Sequence, residues 1–137
     1  MRVDWAIPCR FVEVQQPFGA TIVGAGADVV QVPQIPSPVQ LLFAVRYIGL
    51  EEDLDGEAVH PFGCRMYKPD GEKVGEQGGQ LTATATLRVP GYAVELIVPQ
   101  ALVFGAEEYG TYSFEFSIDD HNLRVPIHVV EPQPPTT

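Results

Sequence analysis

The segment Tyr109–Asp119, with the sequence YGTYSFEFSID, decides the fold class of this chain. Apolar and polar residues alternate there with a period of two, which is the spacing of a β-strand with one buried face and one solvent face. The buried face is predicted to carry Tyr112, Phe114, Phe116 and Ile118. The segment therefore predicts a half-buried antiparallel strand in a two-layer β protein, and it does not match a catalytic motif.

The rest of the chain repeats this β pattern. Thirteen glycines and thirteen prolines separate short apolar runs, and no helical periodicity is visible. A chain of 137 residues can bury the core of one domain. We therefore predict an all-β fold, a single immunoglobulin-like antiparallel β-sandwich of about eight to ten strands, over residues 1–130. An extended proline-rich tail is expected at residues 131–137.

The first strand is predicted at residues 2–7. We expect Pro8 to end it, because proline cannot donate to a β-ladder. Trp5 has the same alternation as Val3 and Ile7, so all three side chains are expected on the core side.

A hairpin is predicted next, with strands at residues 9–14 and 20–23. Its turn contains Pro17, which fixes φ, and Gly19, which suits a positive φ. The connector at residues 33–38 carries three prolines, which exclude a central strand there.

The segment 39–48 is apolar on both faces and is expected at the centre of a sheet. Residues 68–72 read KPDGE and predict a tight hairpin turn with Gly71 in the left-handed position that makes a bulge. Residues 75–79 are interpreted as a flexible connector. Further strands are predicted at residues 28–32, 58–67, 81–89, 92–98 and 123–130.

The formal charge of −10 constrains the partners of this chain. Phosphate binding needs clustered Lys and Arg, and the eight present are dispersed, so neither a nucleic-acid partner nor an anionic membrane surface is expected. The acidic excess lies after Leu50 and is interpreted as solvated loops. Residues 1–8 do not resemble a signal peptide, and no apolar run is long enough to span a membrane, so a cytoplasmic or virion-associated location is expected.

A metal site has only weak support. Asp53, Asp55 and Glu57 lie in the acidic segment 51–57 and offer oxygen ligands that suit calcium, but they lack the ligand order of an EF-hand. A solvated loop is the expected alternative, and no cofactor is predicted. Cys9 and Cys64 are expected as two reduced, buried thiols.

No catalytic constellation is apparent. His60, His121 and His128 are scattered along the chain, and none of the three serines lies in a GxSxG motif. Gly24 and Gly26 follow a predicted strand, but the third glycine of a dinucleotide fingerprint is missing and no helix follows. The chain is therefore not expected to be an enzyme.

Several short motifs occur in a defined order along the chain, and their order resembles that of a known family. They are Cys9 after an apolar strand, Ile22–Gly26, Ile35–Pro38, Phe43–Arg46, Lys68–Gly71, and Gly110–Phe116 followed by Asp119. Together they resemble a family of small bacterial and phage-associated proteins of unknown function with an immunoglobulin-like sandwich. Arg10 departs from this family, which often has an acidic residue after the cysteine.

The resemblance implies a fold and adds no catalytic residue. Tyr112 and Gly110 resemble the tyrosine corner of immunoglobulin-like domains, in which the hydroxyl bonds back to nearby backbone. Tyr112, Gly110 and Gly71 are therefore predicted to be structural residues.

The absence of a reactive cluster favours a non-catalytic protein–protein interaction module, because a sandwich can display loops or lend an edge strand to a partner. The partner is expected to be a protein, and a homo-oligomer is one alternative. A second alternative is a structural subunit of a larger assembly, such as a virion decoration or tail component. A third, weaker one is a carbohydrate- or calcium-binding module, or a hydrolase, that uses the acidic loops.

Overall fold

A computed structural model describes residues 1–15, 19–49, 59–82 and 94–135. Within these ranges ten β-strands form three sheets and no helix occurs, so the all-β prediction is confirmed. The strands are β1 (Arg2–Cys9), β2 (Phe11–Val14), β3 (Ala20–Val23), β4 (Val29–Gln31), β5 (Ser37–Gly49), β6 (Val59–Tyr67), β7 (Lys73–Thr82), β8 (Val94–Ala106), β9 (Gly110–Ile118) and β10 (His121–Val130).

The first sheet has the strand order β1-β5-β8, and the second has the order β4-β10-β9-β6-β7. Strands β2 and β3 form a separate two-stranded sheet. All pairings in the described residues are antiparallel except that of β4 with β10, which is parallel. The prediction of an antiparallel fold was therefore wrong for this edge strand. The NH of His128 donates to the carbonyl oxygen of Asp28 at 2.8 Å beside the parallel pairing.

The five-stranded second sheet is curled into a half-barrel. Strands β10 and β7 of this sheet contact the first sheet. On one side the backbone NH of Val3 in β1 donates to Nδ1 of His121 at 3.1 Å. On the other side Nε2 of Gln77 in β7 donates to the carbonyl oxygen of Ala101 in β8 at 3.1 Å. The two sheets therefore enclose one core between them.

Strand β9 carries the alternation from which the fold class was predicted. Tyr112, Phe114, Phe116 and Ile118 are all completely buried, so this prediction is confirmed. The ring of Phe43 from the first sheet lies 5.5 Å from that of Phe114 and 4.8 Å from that of Phe116. Burial of each such side chain stabilises the fold by about 1.5–3 kcal/mol, so this aromatic group is a principal source of stability.

Strand β5 lies at the centre of the first sheet, as its two-sided apolar pattern predicts. Phe43, Val45 and Tyr47 are completely buried on its core face. The strand already begins at Ser37 and includes Pro38. The prediction that no central strand occurs in the proline-rich connector was therefore wrong at its last residues. A proline is tolerated there because it lies near the start of the strand.

Strand β1 contains a β-bulge that changes which side chains reach the core. Val3 lies opposite Tyr47 and Trp5 lies opposite Arg46. Strand β1 therefore advances by two residues where β5 advances by one. Val3 and Ala6 consequently belong to the buried core, whereas Trp5 is only partly buried and lies outside it. The prediction that Trp5 and Ile7 share the core face with Val3 was wrong, because both are only partly buried and the bulge reverses the alternation.

Two predicted strand ends were also wrong. Strand β1 continues through Pro8, and β8 continues through Pro99 to Ala106 although its predicted end was Val98. Both strands are edge strands of the first sheet. A proline is tolerated in an edge strand because its missing NH can face away from the neighbouring strand.

The segment 75–79 belongs to strand β7 and is not a connector, so that prediction was wrong. Gly63 of β6 lies directly opposite Gly78 of β7. A Cβ atom on Gly63 would lie 2.8 Å from the carbonyl oxygen of Gln77, and one on Gly78 would lie 2.8 Å from that of Phe62. These glycines therefore permit a close approach of two strands.

The turn between β6 and β7 has the predicted geometry. Gly71 has a φ of +92°, its NH donates to the carbonyl oxygen of Lys68 at 2.9 Å, and the NH of Lys68 donates to that of Glu72 at 2.8 Å. The side chain of Asp70 accepts a hydrogen bond from the NH of Glu72 at 2.9 Å. This is a tight turn followed by a glycine bulge.

The β2–β3 pairing confirms the predicted hairpin, and Gly19 has a φ of +84°. Pro17, the acidic segment 51–57 and most of the predicted strand 81–89 lie outside the described residues. Residues 131–135 are exposed and form no strand.

Candidate functional site

The residues predicted as weak calcium ligands cannot be placed. Asp53, Asp55 and Glu57 lie outside the described residues. Within residues 1–15, 19–49, 59–82 and 94–135, no group of three or more His, Cys, Asp or Glu side chains is positioned to hold a metal ion. Calcium binding therefore stays a prediction.

His60 and Asp119 form a carboxylate–imidazole pair where β6 begins and β9 ends. Nδ1 of His60 lies 2.9 Å from Oδ2 of Asp119, and the ammonium group of Met1 donates to the same oxygen at 2.9 Å. Burial alone would raise the pKa of Asp119. The hydrogen bonds and positive charges of the ammonium group and of His60 together lower it by more, so the pKa lies below its ordinary value. Asp119 has a φ of +49°, a region that aspartate tolerates better than most residues.

The other two histidines have different partners. Nδ1 of His121 accepts the NH of Val3, and Nδ1 of His128 lies 2.9 Å from the hydroxyl of Thr111. His60 is almost completely buried. A carboxylate can orient an imidazole for proton transfer, but a base must also reach its substrate. These contacts connect strands to one another, which supports a structural role for the histidines.

The two cysteines are buried and are not joined to each other. Burial raises the pKa of Cys64 to about 12, and it also raises the pKa of Cys9. Since the thiolate is the nucleophilic form, both side chains are poor nucleophiles at neutral pH.

Tyr112 bonds to the backbone of the preceding turn. Its hydroxyl donates to the carbonyl oxygen of Glu108 at 2.8 Å and accepts the NH groups of Glu107 and Glu108, each at 3.2 Å. Gly110 has a φ of +144°, and a Cβ atom there would lie 2.8 Å from Cγ of Pro69. Tyr112 therefore fixes the backbone of the β8–β9 turn, and Gly110 lets this turn lie close to the β6–β7 turn.

The β2–β3 hairpin presents an apolar pair to solvent, which we call the hairpin pair. Phe11 and Val23 lie directly opposite each other and are 49% and 52% exposed. The side chains of the other face, including Val12 and Ile22, are partly buried, and β2 contacts β5 and β8. The hairpin thus packs one face on the domain and exposes an aromatic side chain on the other.

A row of alternating charges crosses the second sheet, and we call it the charged ladder. It consists of Arg124 on β10, Glu115 on β9, Arg65 on β6 and Glu76 on β7, which lie opposite one another in register. Nε of Arg124 donates to Glu115 at 2.9 Å, and Nε of Arg65 donates to Glu76 at 3.3 Å. Nη1 of Arg65 also lies 3.8 Å from Oε1 of Glu115.

Sequence reasoning did not single out either feature. Phe11 and Val23 occur in predicted strands, and alternation alone does not show which face of a two-stranded sheet is exposed. The ladder residues are polar positions of four strands, and their alignment depends on cross-strand register, which one sequence does not reveal. The available signal was the alternation of Arg65 and Arg124 with apolar neighbours, which predicts solvent-facing positions.

Together these observations define an all-β domain with two packed sheets, an aromatic core and an outlying hairpin. The chain belongs to a family of unknown function, DUF6941, whose family model matches residues 4–130. No curated protein and no solved structure matched this chain. No helix in the described part of the chain is both long and apolar enough to cross a membrane.

Proposed function

We propose that this protein is a non-catalytic protein-binding module that contacts its partner through the hairpin pair. The proposal rests on one observation: Phe11 and Val23 lie opposite each other on neighbouring strands and are both about half exposed. The hairpin that carries them forms its own sheet. Aromatic side chains are enriched among the residues that dominate binding energy, because they bury a large area with few rotatable bonds.

The base of the hairpin is closed by contacts that leave the side chains of this pair exposed. The NH of Arg10 donates to the carbonyl oxygen of Val23 at 2.9 Å, which extends the ladder beyond the strand ends. At Gly24 a Cβ atom would lie 2.8 Å from Cγ of Arg10, so the glycine lets the two segments at the base of the hairpin approach closely. A preorganised surface loses less entropy on binding than a mobile one.

The strand order supports an immunoglobulin-like assignment as part of this proposal. The order β10-β9-β6-β7 corresponds to strands G-F-C-C′ of such domains, and β1-β5-β8 corresponds to A-B-E. The Tyr112 hydroxyl bonds occur near the start of the strand that corresponds to F, where the tyrosine corner lies. The β2–β3 hairpin is then an addition to the basic sandwich, and such additions commonly carry binding function.

The double variant Phe11→Ser with Val23→Thr tests this function. Both side chains are half exposed, so the variant should keep its thermal stability within a few degrees but recover much less partner from the native source. Val29→Thr is the matched control, because Val29 is 55% exposed on β4 and lies outside the hairpin. Equal recovery of the partner by all three proteins would overturn the proposal.

The same experiment addresses the alternative of a structural subunit. A component of a virion or tail should be recovered with its neighbours at a fixed stoichiometry, whereas an interaction module should be recovered at variable ratios. We retain the interaction module as the main proposal, because one exposed apolar pair suits a single docking contact better than an extended lattice.

A further inference from the structure

The signs of the four charges in the ladder alternate, so the ladder is complementary to a second copy of itself that runs in the opposite direction. From β10 to β7 the charges of Arg124, Glu115, Arg65 and Glu76 alternate as plus, minus, plus, minus. Reading the same row backwards gives minus, plus, minus, plus. Two such rows that meet in opposite directions therefore place every positive group against a negative one.

The ladder is accessible from solvent. The side chains of Arg65, Glu76 and Arg124 are 54%, 51% and 62% exposed, whereas Glu115 lies beneath the two arginines at 13%. The next row on the same face contains Gly63 and Gly78, which have no side chains to obstruct an approaching surface. An approaching surface is therefore unobstructed on the glycine side of the ladder. The row on the other side carries Tyr67, whose ring centroid lies 5.1 Å from the guanidinium carbon of Arg124, and Lys73, whose Nζ lies 2.8 Å from Oε2 of Glu76.

We propose that the ladder face is a self-association surface, and that its occupant is a second copy of this chain. A two-fold axis in the plane of the interface and perpendicular to the ladder places Arg124 against Glu76 of the second copy and Glu115 against Arg65 of the second copy. An isologous contact of this kind uses the same patch on both molecules. A parallel arrangement would place like charges together, so the ladder selects one orientation.

The charge of the whole chain determines the conditions under which this dimer forms. Each copy carries a formal charge of −10, so two copies repel each other at long range. At about 0.15 M salt the screening length is about 8 Å. Salt therefore weakens this long-range repulsion more than it weakens the attraction between charges in contact. The face spans only four strands, roughly 15 Å at 4.8 Å spacing, so the dimer should be weak, in the micromolar range or weaker.

A charge-exchange experiment tests the proposal by sedimentation equilibrium. Arg124→Glu and Glu76→Arg each place like charges opposite each other in a homodimer, so each variant should be monomeric where the wild type associates. An equimolar mixture should associate again, because every position of the mixed dimer is then opposite in sign. About 1 M salt should dissociate both the wild type and the mixture.

Arg2→Glu and Glu131→Arg are the matched controls, since they make the same charge changes at exposed positions outside the ladder. They should associate as the wild type does, alone or mixed. Circular dichroism melts should show that every variant is folded. A wild type that is monomeric at millimolar concentration, single variants that associate normally, or a mixture that stays monomeric would each overturn the proposal.

Discussion

The hydroxyl of Tyr112 donates a hydrogen bond to the carbonyl oxygen of Glu108 at 2.8 Å, and so ties strand β9 to the turn that precedes it. The hydroxyl oxygen of Tyr112 also accepts hydrogen bonds from the NH groups of Glu107 and Glu108. One buried side chain therefore satisfies three backbone groups that would otherwise need other partners.

Replacing Tyr112 with phenylalanine should lower the free energy of unfolding by about 1–3 kcal/mol, because the ring still fills its place but backbone groups of the turn lose their partner. Urea denaturation followed by tryptophan fluorescence measures this change. Tyr109→Phe is the matched control. It removes one hydrogen bond, from the Tyr109 hydroxyl to the carbonyl oxygen of Val32, and should cost less. A Tyr112→Phe protein as stable as the wild type would contradict this structural role.

Glycine substitutions test the close contact between β6 and β7. Gly63→Ala should lower the free energy of unfolding by about 1–3 kcal/mol, because its Cβ would lie 2.8 Å from the carbonyl oxygen of Gln77 and the backbones would have to separate. At Gly105 a Cβ atom would meet nothing within 4 Å, so Gly105→Ala should change stability by less than about 0.5 kcal/mol. Similar melting temperatures for the two variants would show that the strands do not approach so closely.

The interactions of Asp119 should make stability depend on pH in the acid range. Its pKa in the folded protein lies below the ordinary value of 3.8, so the ionised carboxylate stabilises the fold. This stabilisation is present above that ordinary value and is lost as the pH falls through the folded pKa. Asp119→Asn should therefore lower the urea midpoint at pH 6, and the difference from wild type should shrink below about pH 4.

Asp120→Asn serves as the control for this pH experiment, because Asp120 is exposed in the same turn. Its urea midpoint should stay close to that of the wild type throughout. A constant difference between Asp119→Asn and the wild type from pH 6 to pH 3 would show that ionisation of Asp119 does not stabilise the fold.

Cys64 should react very slowly with thiol reagents while the protein is folded. Burial raises its pKa to about 12, so the thiolate is scarce at pH 8 and the sulfur is shielded. A native protein treated with a chromogenic disulfide should release its chromophore much more slowly than the same protein in urea. A Cys9→Ser variant isolates the signal of Cys64, and rapid labelling of that variant in the native state would contradict the expected burial.

Local sequence pattern predicted those parts of the fold that depend on near neighbours. The alternation on β9 predicted its buried face, and the sequence around Gly71 predicted the turn, because both follow from backbone geometry over a few residues. Trp5 was assigned to the wrong face because a bulge in β1 depends on its pairing with β5. The glycines of β7 suggested a connector because their strand pairing is a tertiary contact.

The candidate site was less predictable than the fold. The charged ladder joins two hairpins, β6–β7 and β9–β10, that are distant in sequence, so the pairing of β6 with β9 is needed to align their charges in one row. The exposure of Phe11 depends on which hairpin face packs on the domain. The sequence predicts only that Arg65 and Arg124 face solvent, and it does not show which face of the hairpin packs on the domain. The absence of a GxSxG motif, in contrast, could be read directly.

Site-specific photo-cross-linking at the hairpin pair tests the central claim most directly. A benzophenone side chain replaces Val23 in the native source, and a second protein carries it at Val29, which is similarly exposed but lies on β4. Position 23 should give one dominant protein adduct that position 29 does not give. No adduct at position 23, or the same adducts from both positions, would contradict the account of this protein as a binding module that acts through its hairpin.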